Sequence, residues 1–352
     1  MANALVEQGH DVYVALVPDS PLHQKLAPLP AQNLLTLRMR GAVDVASAIK
    51  LARFARKHQI EIVHAHRARD YPLAALAAKL ASYPRLILTR HVLFPLGRWH
   101  RFTLSNVHRV IAVSNAVAAS LRAQQIFPAH KICVIHNGIN VQSFDLAVSG
   151  FDRDAYRRSL HLAARFLVGC LGEISQVKGH EDFVRAAANL AEQRPDTEFI
   201  IAGSDVSPTA VNRARLEHLI AQLNLRERVH LIGHLEDVAP LLSSLDVFVS
   251  ASHTEAFGLS IVEAMASGVA VVANATDGAR EVIDDGETGR LVPIGDAGAM
   301  AAAINALLED EEERKRLGTL ARAAARKQWS LNRMVTATES IYQKALDVKR
   351  LS

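Results

Sequence analysis

At 352 residues, 49% hydrophobic and 22% charged, the chain has the composition of a globular protein long enough for two domains. No apolar run approaches the roughly 18 residues of a helical membrane span and no signal-peptide pattern opens the sequence; Cys133 and Cys170 lie in apolar, strand-like runs, which reads as buried thiols rather than a disulfide or a zinc pair. The net charge of +4 hides an asymmetry: residues 1–150 hold 17 Lys+Arg against 7 Asp+Glu, a net of +10, and the remainder 23 against 29, a net of −6.

The basic half calls for an acidic partner, either an anionic membrane surface or an anionic acceptor; no nucleic-acid motif accompanies it. The expected location is cytoplasmic, with peripheral contact at the inner face of the cell membrane.

Met1 to Gln8 reads as the end of an amphipathic helix, Gly9-His10 as its stop and Asp11 to Val17 as a strand. A doubly wound domain starts with a strand and a Gly-rich loop ahead of such a helix. Neither is present, and loss of that central strand exposes two strand edges; the expectation is a chain whose start lies upstream. A helix near 43–58, a strand at Glu61 to His64, a helix near 71–81 and a strand at Arg85 to Thr89 follow, an alternation that implies a parallel sheet.

Ligands of such sheets gather at the carboxyl ends of strands, and three strand ends carry histidine: His64-Ala-His66, Thr89-Arg90-His91 and Ile135-His136-Asn137-Gly138. Each reads either as a satisfied structural histidine or as a site residue. Between 90 and 109, Arg90, Arg98, Arg101 and Arg109 interleave with Phe94, Trp99, His100 and Phe102. That mixture fits an interfacial membrane contact or a partly buried helix with a solvated basic face, and in either case Arg90, Arg98, Trp99 and Arg101 mark the acceptor side. Val110 to Val113 reads as a strand, Ser114-Asn115 as a cap for a helix at 116–125, Gly138 as a positive-φ turn and 141–160 as a linker.

A second alternation begins at the strand Phe166 to Leu171. The loop Gly172-Glu173-Ile174-Ser175-Gln176-Val177-Lys178-Gly179 leads from it into a helix at 180–193, and Lys178 is the natural cation for a diphosphate. Strands at Thr197 to Ala202 and Val229 to Ile232 end in Gly203 and Gly233. Val247-Phe248-Val249 is a short buried strand, Ser250 to Phe257 the loop that leaves it, and Gly258 opens a helix with Leu259, Val262 and Ala266 on one side and Gly268 as its stop.

The first amides of that helix, from Gly258, Leu259 and Ser260, lack intrahelical acceptors and suit a phosphate. Glu255 ahead of the helix and Glu263 one turn inside it can accept hydrogen bonds from vicinal diols; they also read as a solvated loop acid and a helix surface charge. Gly278, in Asp277-Gly278-Ala279-Arg280, is a phosphate contact or a plain turn glycine. The chain from Asp296 onward reads as helical, highly charged from Glu309 to Arg316, and a last helix from Leu331 to Val348 completes it.

Glu255-Ala-Phe-Gly-Leu-Ser-Ile-Val-Glu263-Ala-Met-Ala-Ser-Gly268 resembles the two-glutamate signature of the family-4 retaining glycosyltransferases. The resemblance covers nearly the whole chain and implies the α/β GT-B architecture: two doubly wound Rossmann-like domains facing across a cleft, an N-terminal acceptor domain (1–148), a C-terminal nucleotide-sugar domain (149–330) and a C-terminal helix (331–352) crossing back to the first. It implies that His91 and Glu255 act at the donor sugar. It further implies that Glu263 holds the ribose, that Phe257 belongs to the donor-binding set, that Lys178 and the amides of Gly258, Leu259 and Ser260 hold the diphosphate, and that Gly233 lies near the base. Glu173 departs from the pattern, since the family has arginine there.

The implied activity is retaining transfer of a sugar from a nucleotide diphosphate sugar to a cell-envelope glycan or lipid-linked acceptor, such as a polysaccharide or lipopolysaccharide precursor, with no cofactor and no metal. A non-catalytic sugar-nucleotide-binding relative would bind donor without turnover, an epimerase of the same fold would turn over without acceptor, and a purely structural or tethering protein would bind neither.

Overall fold

The computed structural model describes residues 1–26, 29–39, 44–148 and 150–350. Position 43 of the expected helix and positions 351 and 352 of the C-terminal segment lie outside them. The chain forms two compact units, Met1–Gly138 with Leu331–Ser352, and Ile139–Ser330.

The second unit is built on six parallel strands: β7 (Phe166–Leu171), β8 (Thr197–Ala202), β9 (Val229–Gly233), β10 (Val247–Ser250), β11 (Ala270–Asn274) and β12 (Arg290–Val292), after six in the first unit. Their spatial order is β12-β11-β10-β7-β8-β9, which is the doubly wound 3-2-1-4-5-6 arrangement counted from β7. Val168, Phe199, Ile201, Val247, Val249 and Val272 are fully buried, as strands covered on both faces by helices require. The direction of winding reverses between β7 and β10, which pair through Val168–Val247 and Gly169–Phe248.

In the first unit the strands are β1 (Val14–Leu16), β2 (Leu34–Thr36), β3 (Ile62–Ala65), β4 (Arg85–Arg90), β5 (Val107–Ala112) and β6 (Ile132–Val134), all parallel. They form two ladders, β1-β2 and β3-β4-β5-β6. The strand expected at Asp11 to Val17 is thus three residues long, and among the described residues β1 pairs only with β2 and β3 only with β4. The C-terminal helix, Leu331–Arg350, belongs to this unit: Met334, Ala337, Ile341, Tyr342 and Ala345 pack on Ile62, Ile87, Ile111 and Ile135, and Val335 packs on Ala4 and Leu5 of the first helix, Ala2–Glu7.

Much of the expected linker, 141–160, is helical instead. The segment 141–148 is short-helical and Arg153–Ser159 is α-helical. Val141 and Phe144 are buried, and Arg153 and Arg157 hold both carboxylate oxygens of Asp246 at 2.6 and 2.8 Å. These apolar and charge-paired contacts tie the stretch to the second unit, so the division falls at Gly138 rather than at 148. Gly138 is not among the positive-φ glycines; its N–H is instead directed at the Met334 sulfur, 3.3 Å away.

Candidate functional site

In a doubly wound sheet the loops leaving the two strands at the reversal converge on one crevice. Here those are the loops after β7, with Lys178, and after β10, with Glu255, and the two side chains meet: Lys178 Nζ lies 2.8 Å from Glu255 Oε2. Both groups are mostly buried, and Ser252 Oγ donates to the same carboxylate oxygen at 3.4 Å. Glycines permit this convergence. Gly179 has φ +64°, and a Cβ there would lie 2.0 Å from the Ala251 carbonyl oxygen of the second loop.

The second loop is itself braced. Asn274 donates to the Ala251 carbonyl at 2.7 Å, and the Phe257 ring is buried edge-on against Trp329 at 5.4 Å. Gly278 N–H donates to the Glu255 carbonyl at 3.1 Å, and a Cβ at 278 would approach that oxygen to 2.6 Å. Two expectations are corrected here. The Phe257 side chain is a packing group, leaving only its backbone at the site, and the Gly278 amide is committed to the loop rather than open to a phosphate.

Gly258, at φ +96°, turns the chain into the helix Leu259–Ser267, whose start no side chain caps. The first intrahelical bond runs from Val262 N–H to the Gly258 carbonyl, so the amides of Leu259, Ser260 and Ile261 precede it. Leu259 is 43% exposed and does not join Val262 and Ala266 in the core, because the first turn faces the crevice. Glu263 lies one turn in. Desolvation raises its pKa to about 7, and no hydrogen bond or cation to its carboxylate is found among the described residues. Lys178, the uncapped amides and this carboxyl together offer cationic and N–H donors to an anion and an acceptor to hydroxyls. Glu173 is exposed and in no ion pair among the described residues. Gly233, at φ +77°, accepts from Gly203 N–H at 2.7 Å and has open space beside its Cα.

In the first unit the ends of β3 and β4 bring three histidines together. His66 Nδ1 and His91 Nε2 are 3.3 Å apart, the His64 and His66 rings are 4.2 Å apart, and His64 bonds Tyr342 OH and Thr89 Oγ1, each at 2.6 Å. Desolvation and the neighbouring imidazoles lower the pKa of His64, and of His66 to about 4; desolvation and Arg90 lower that of His91. Each shift favours the neutral ring, and His91 is exposed.

Arg90 is only 4% exposed and donates to the Phe94 carbonyl. The structure removes it from the acceptor-side surface, because a strand-end arginine covered by the following loop finds a backbone acceptor instead of solvent. Arg98 and Arg101 are exposed, as are Trp99, Phe94 (68%) and Phe102 (81%). Beside them is a cavity of about 640 Å³ lined by Arg101, Arg122 and Lys131. No helix is long and apolar enough to cross a membrane, and no group of three or more His, Cys, Asp or Glu is arranged to hold a metal ion, among the described residues.

Sequence reasoning missed the Lys178–Glu255 pair, whose members are 77 positions apart, and the Tyr342–His64 bond, 278 positions apart. It also passed over His180, although this residue directly follows the Lys178-Gly179 pair that drew attention to the loop.

The matches to family models and to solved structures define the class, a glycosyltransferase of the GT-B fold. The chain belongs to family 4 of those enzymes: the family described as Glycosyl transferases group 1 matches residues 152–324 and Glycosyltransferase Family 4 matches residues 1–143. The phosphatidyl-myo-inositol mannosyltransferase of Mycolicibacterium smegmatis is 31% identical over 351 residues, covering 93% of this chain and 83% of that one. A lipopolysaccharide core biosynthesis mannosyltransferase, LpsB, of Rhizobium meliloti is 29% identical over 248 residues, 70% of this chain and 68% of the relative. Among solved structures, Anabaena HepE in complex with UDP and glucose superposes with a TM-score of 0.83 at 24% identity, covering 94% of this chain and 90% of that one.

Proposed function

We propose that the chain is a retaining glycosyltransferase that moves a sugar from a nucleotide diphosphate donor to a lipid-linked or glycan acceptor of the cell envelope. The observation that carries this reading is the grouping of Lys178, the uncapped amides at 259–261 and the raised-pKa Glu263 at the winding reversal of the second unit. The diphosphate draws Lys178 away from Glu255 and takes the amides; charge developing on the leaving phosphate is met by fixed donors, which is electrostatic preorganisation. Glu263 accepts from the ribose hydroxyls. Released from Lys178, Glu255 acts on the donor sugar, and the acceptor hydroxyl passes its proton to the leaving phosphate on the same face. Lys178 and the amides serve where other transferases use a metal.

The exposed Arg98, Trp99 and Arg101 form the acceptor side on the first unit, and His91 keeps its proposed catalytic role at the sugar. The names of the M. smegmatis and R. meliloti relatives, a phosphatidyl-inositol and a lipopolysaccharide-core mannosyltransferase, support an acceptor at a membrane surface, and so does the basic first half.

Calorimetric titration of UDP-, GDP- and ADP-sugars tests the reading, with Glu263→Ala as control. One nucleotide should bind in the micromolar range, about −8 kcal/mol, and the variant should lose that signal. Equal binding to both proteins would remove Glu263 and this crevice from the proposal.

A further inference from the structure

The loop that carries Lys178 needs a fixed path if its ammonium is to meet a phosphate. It begins and ends on glycines at φ +147° and +64°, Gly172 and Gly179, which supply little conformational restraint of their own. Farther along it is tied by Ile174 N–H to the Ser204 carbonyl at 3.0 Å and by His253 N–H to the Val177 carbonyl at 2.8 Å. A cavity of about 290 Å³ lined by Ile174, Ser175, Gln176 and His180 leaves part of the loop without packing. Glu173, where the chain departs from β7, has an exposed side chain in no ion pair among the described residues, so its backbone is what can be held.

His180 holds it. This residue opens the helix His180–Ala191 and is 4% exposed. Its Nε2 lies 3.1 Å from the Glu173 carbonyl oxygen, and its Nδ1 3.3 Å from Cys170 Sγ on β7. A carbonyl oxygen only accepts, so the ring proton is on Nε2; Nδ1 is then a bare acceptor, and the Cys170 thiol donates to it. Burial pushes the Cys170 thiol up, which keeps its proton in place. Desolvation, opposed by the bond to Glu173 and reinforced by the Lys178 charge, lowers the pKa of His180, so the ring adds no charge of its own beside Lys178.

We propose that His180 is a positioning residue for the diphosphate-binding loop: its Nε2–H, oriented by the Cys170 thiol, fixes the Glu173 carbonyl and so the path of the chain to Lys178. The proposal rests on Lys178 being the phosphate cation. It also accounts for an acid at 173 beside an anion site, since position 173 contributes its carbonyl while its side chain faces solvent.

Two measurements test it. In the intact protein with 15N-labelled histidine, His180 should show the Nε2–H tautomer and titrate below the ordinary histidine range; the Nδ1–H tautomer, or a ring charged at neutral pH, overturns the proposal. Titration with inorganic pyrophosphate and with UDP then compares His180→Gln, which keeps an N–H at the Nε2 position, with His180→Phe, which has none. The phenylalanine variant should lose about tenfold in affinity, the value of one buried hydrogen bond, and the glutamine variant less than about threefold. Equal losses, or none, overturn the proposal.

Should His180→Phe not fold, Cys170→Val replaces it. That variant leaves Nδ1 without its donor and should give mixed tautomers and weaker pyrophosphate binding; an unchanged tautomer and affinity count against the role. Lys178→Ala separates the two layers. If it binds pyrophosphate as well as wild type, the phosphate reading of the loop fails, whatever His180 does.

Discussion

Lys178 and Glu255 neutralise each other, and on the proposed reading a nucleotide diphosphate competes with that pair. Their 2.8 Å contact is partly shielded from water, where a charge-assisted hydrogen bond contributes about 1.5–3 kcal/mol. Removing the charge of Glu255 frees Lys178 without moving it. Glu255→Gln should therefore bind UDP about tenfold more tightly than wild type and turn over at least about a hundredfold more slowly, read by calorimetry and by initial rates with the donor that the panel identifies. Weaker UDP binding in that variant would show that the pair supports the phosphate site rather than competing for it.

Glu263 makes a second residue-level prediction. Its folded pKa, about 7, stands above the ordinary 4.5, so between those values the native state holds a proton that the unfolded chain has lost, and stability falls as pH rises through that window. Above pH 7 the buried charge costs about 3 kcal/mol. Glu263→Gln should raise the melting temperature at about pH 8 and leave it nearly unchanged below about pH 4.5. In wild type, nucleotide affinity should increase with pH through 7 as the carboxylate forms, and the glutamine variant should give a flat profile. The spacing of Glu255, Gly258 and Glu263 was legible in the sequence because one loop and one helical turn hold all three. The environment that sets their charge was not, since it depends on Lys178 and on the packing around Glu263.

At the scale of elements, alternation of apolar runs with helical stretches identified most strands of both units, and Ser114 caps its helix as its side chain suggests, accepting from Val117 N–H at 3.1 Å. The sequence was silent where structure depends on distant partners. The segment 141–160 looks polar and loop-like, yet Arg157 is buried against Asp246, and Arg90 disappears beneath its own loop. The segment 94–102 shows the opposite outcome, with Phe94, Trp99 and Phe102 exposed among arginines.

If this is a membrane contact, interfacial cations contribute about 1 kcal/mol each. The Arg98→Glu, Arg101→Glu double variant should lose at least about tenfold in cosedimentation with phosphatidylglycerol vesicles, and Phe102→Ser should weaken binding further. Neither should bind phosphatidylcholine vesicles measurably. Wild-type protein that ignores phosphatidylglycerol as well would dismiss the contact.

For the whole molecule, the covalent path matters as much as the fold. The second unit is inserted between Gly138 and Leu331 of the first, and the chain enters and leaves it side by side, with Ile139 bridging Ser330 and Ile139 N–H bonded to the Trp329 carbonyl at 2.9 Å. The first unit draws part of its core from the last helix. Val335 is fully buried and contributes about 1.5–3 kcal/mol, and the partly buried Met334, Ile341 and Tyr342 add to it, a sum that is a large fraction of a domain's stability. Ending the chain at Ser330 should therefore unfold the first unit while the second keeps a cooperative thermal transition. Two intact transitions in the shortened protein would show that the helix is dispensable.

The insertion also sets an order of events on the ribosome. The second unit, continuous in sequence, is complete once Ser330 has emerged and can fold then. Ile62 of the first unit was made 268 residues before Ser330, and at that moment Ile62, Ile87 and Ile111 still lack the helix that covers them. Its apolar sheet face waits, unshielded, through synthesis of the whole inserted unit. The unit whose strands are made first of the two is therefore the last to become native, and the more dependent on chaperone cover.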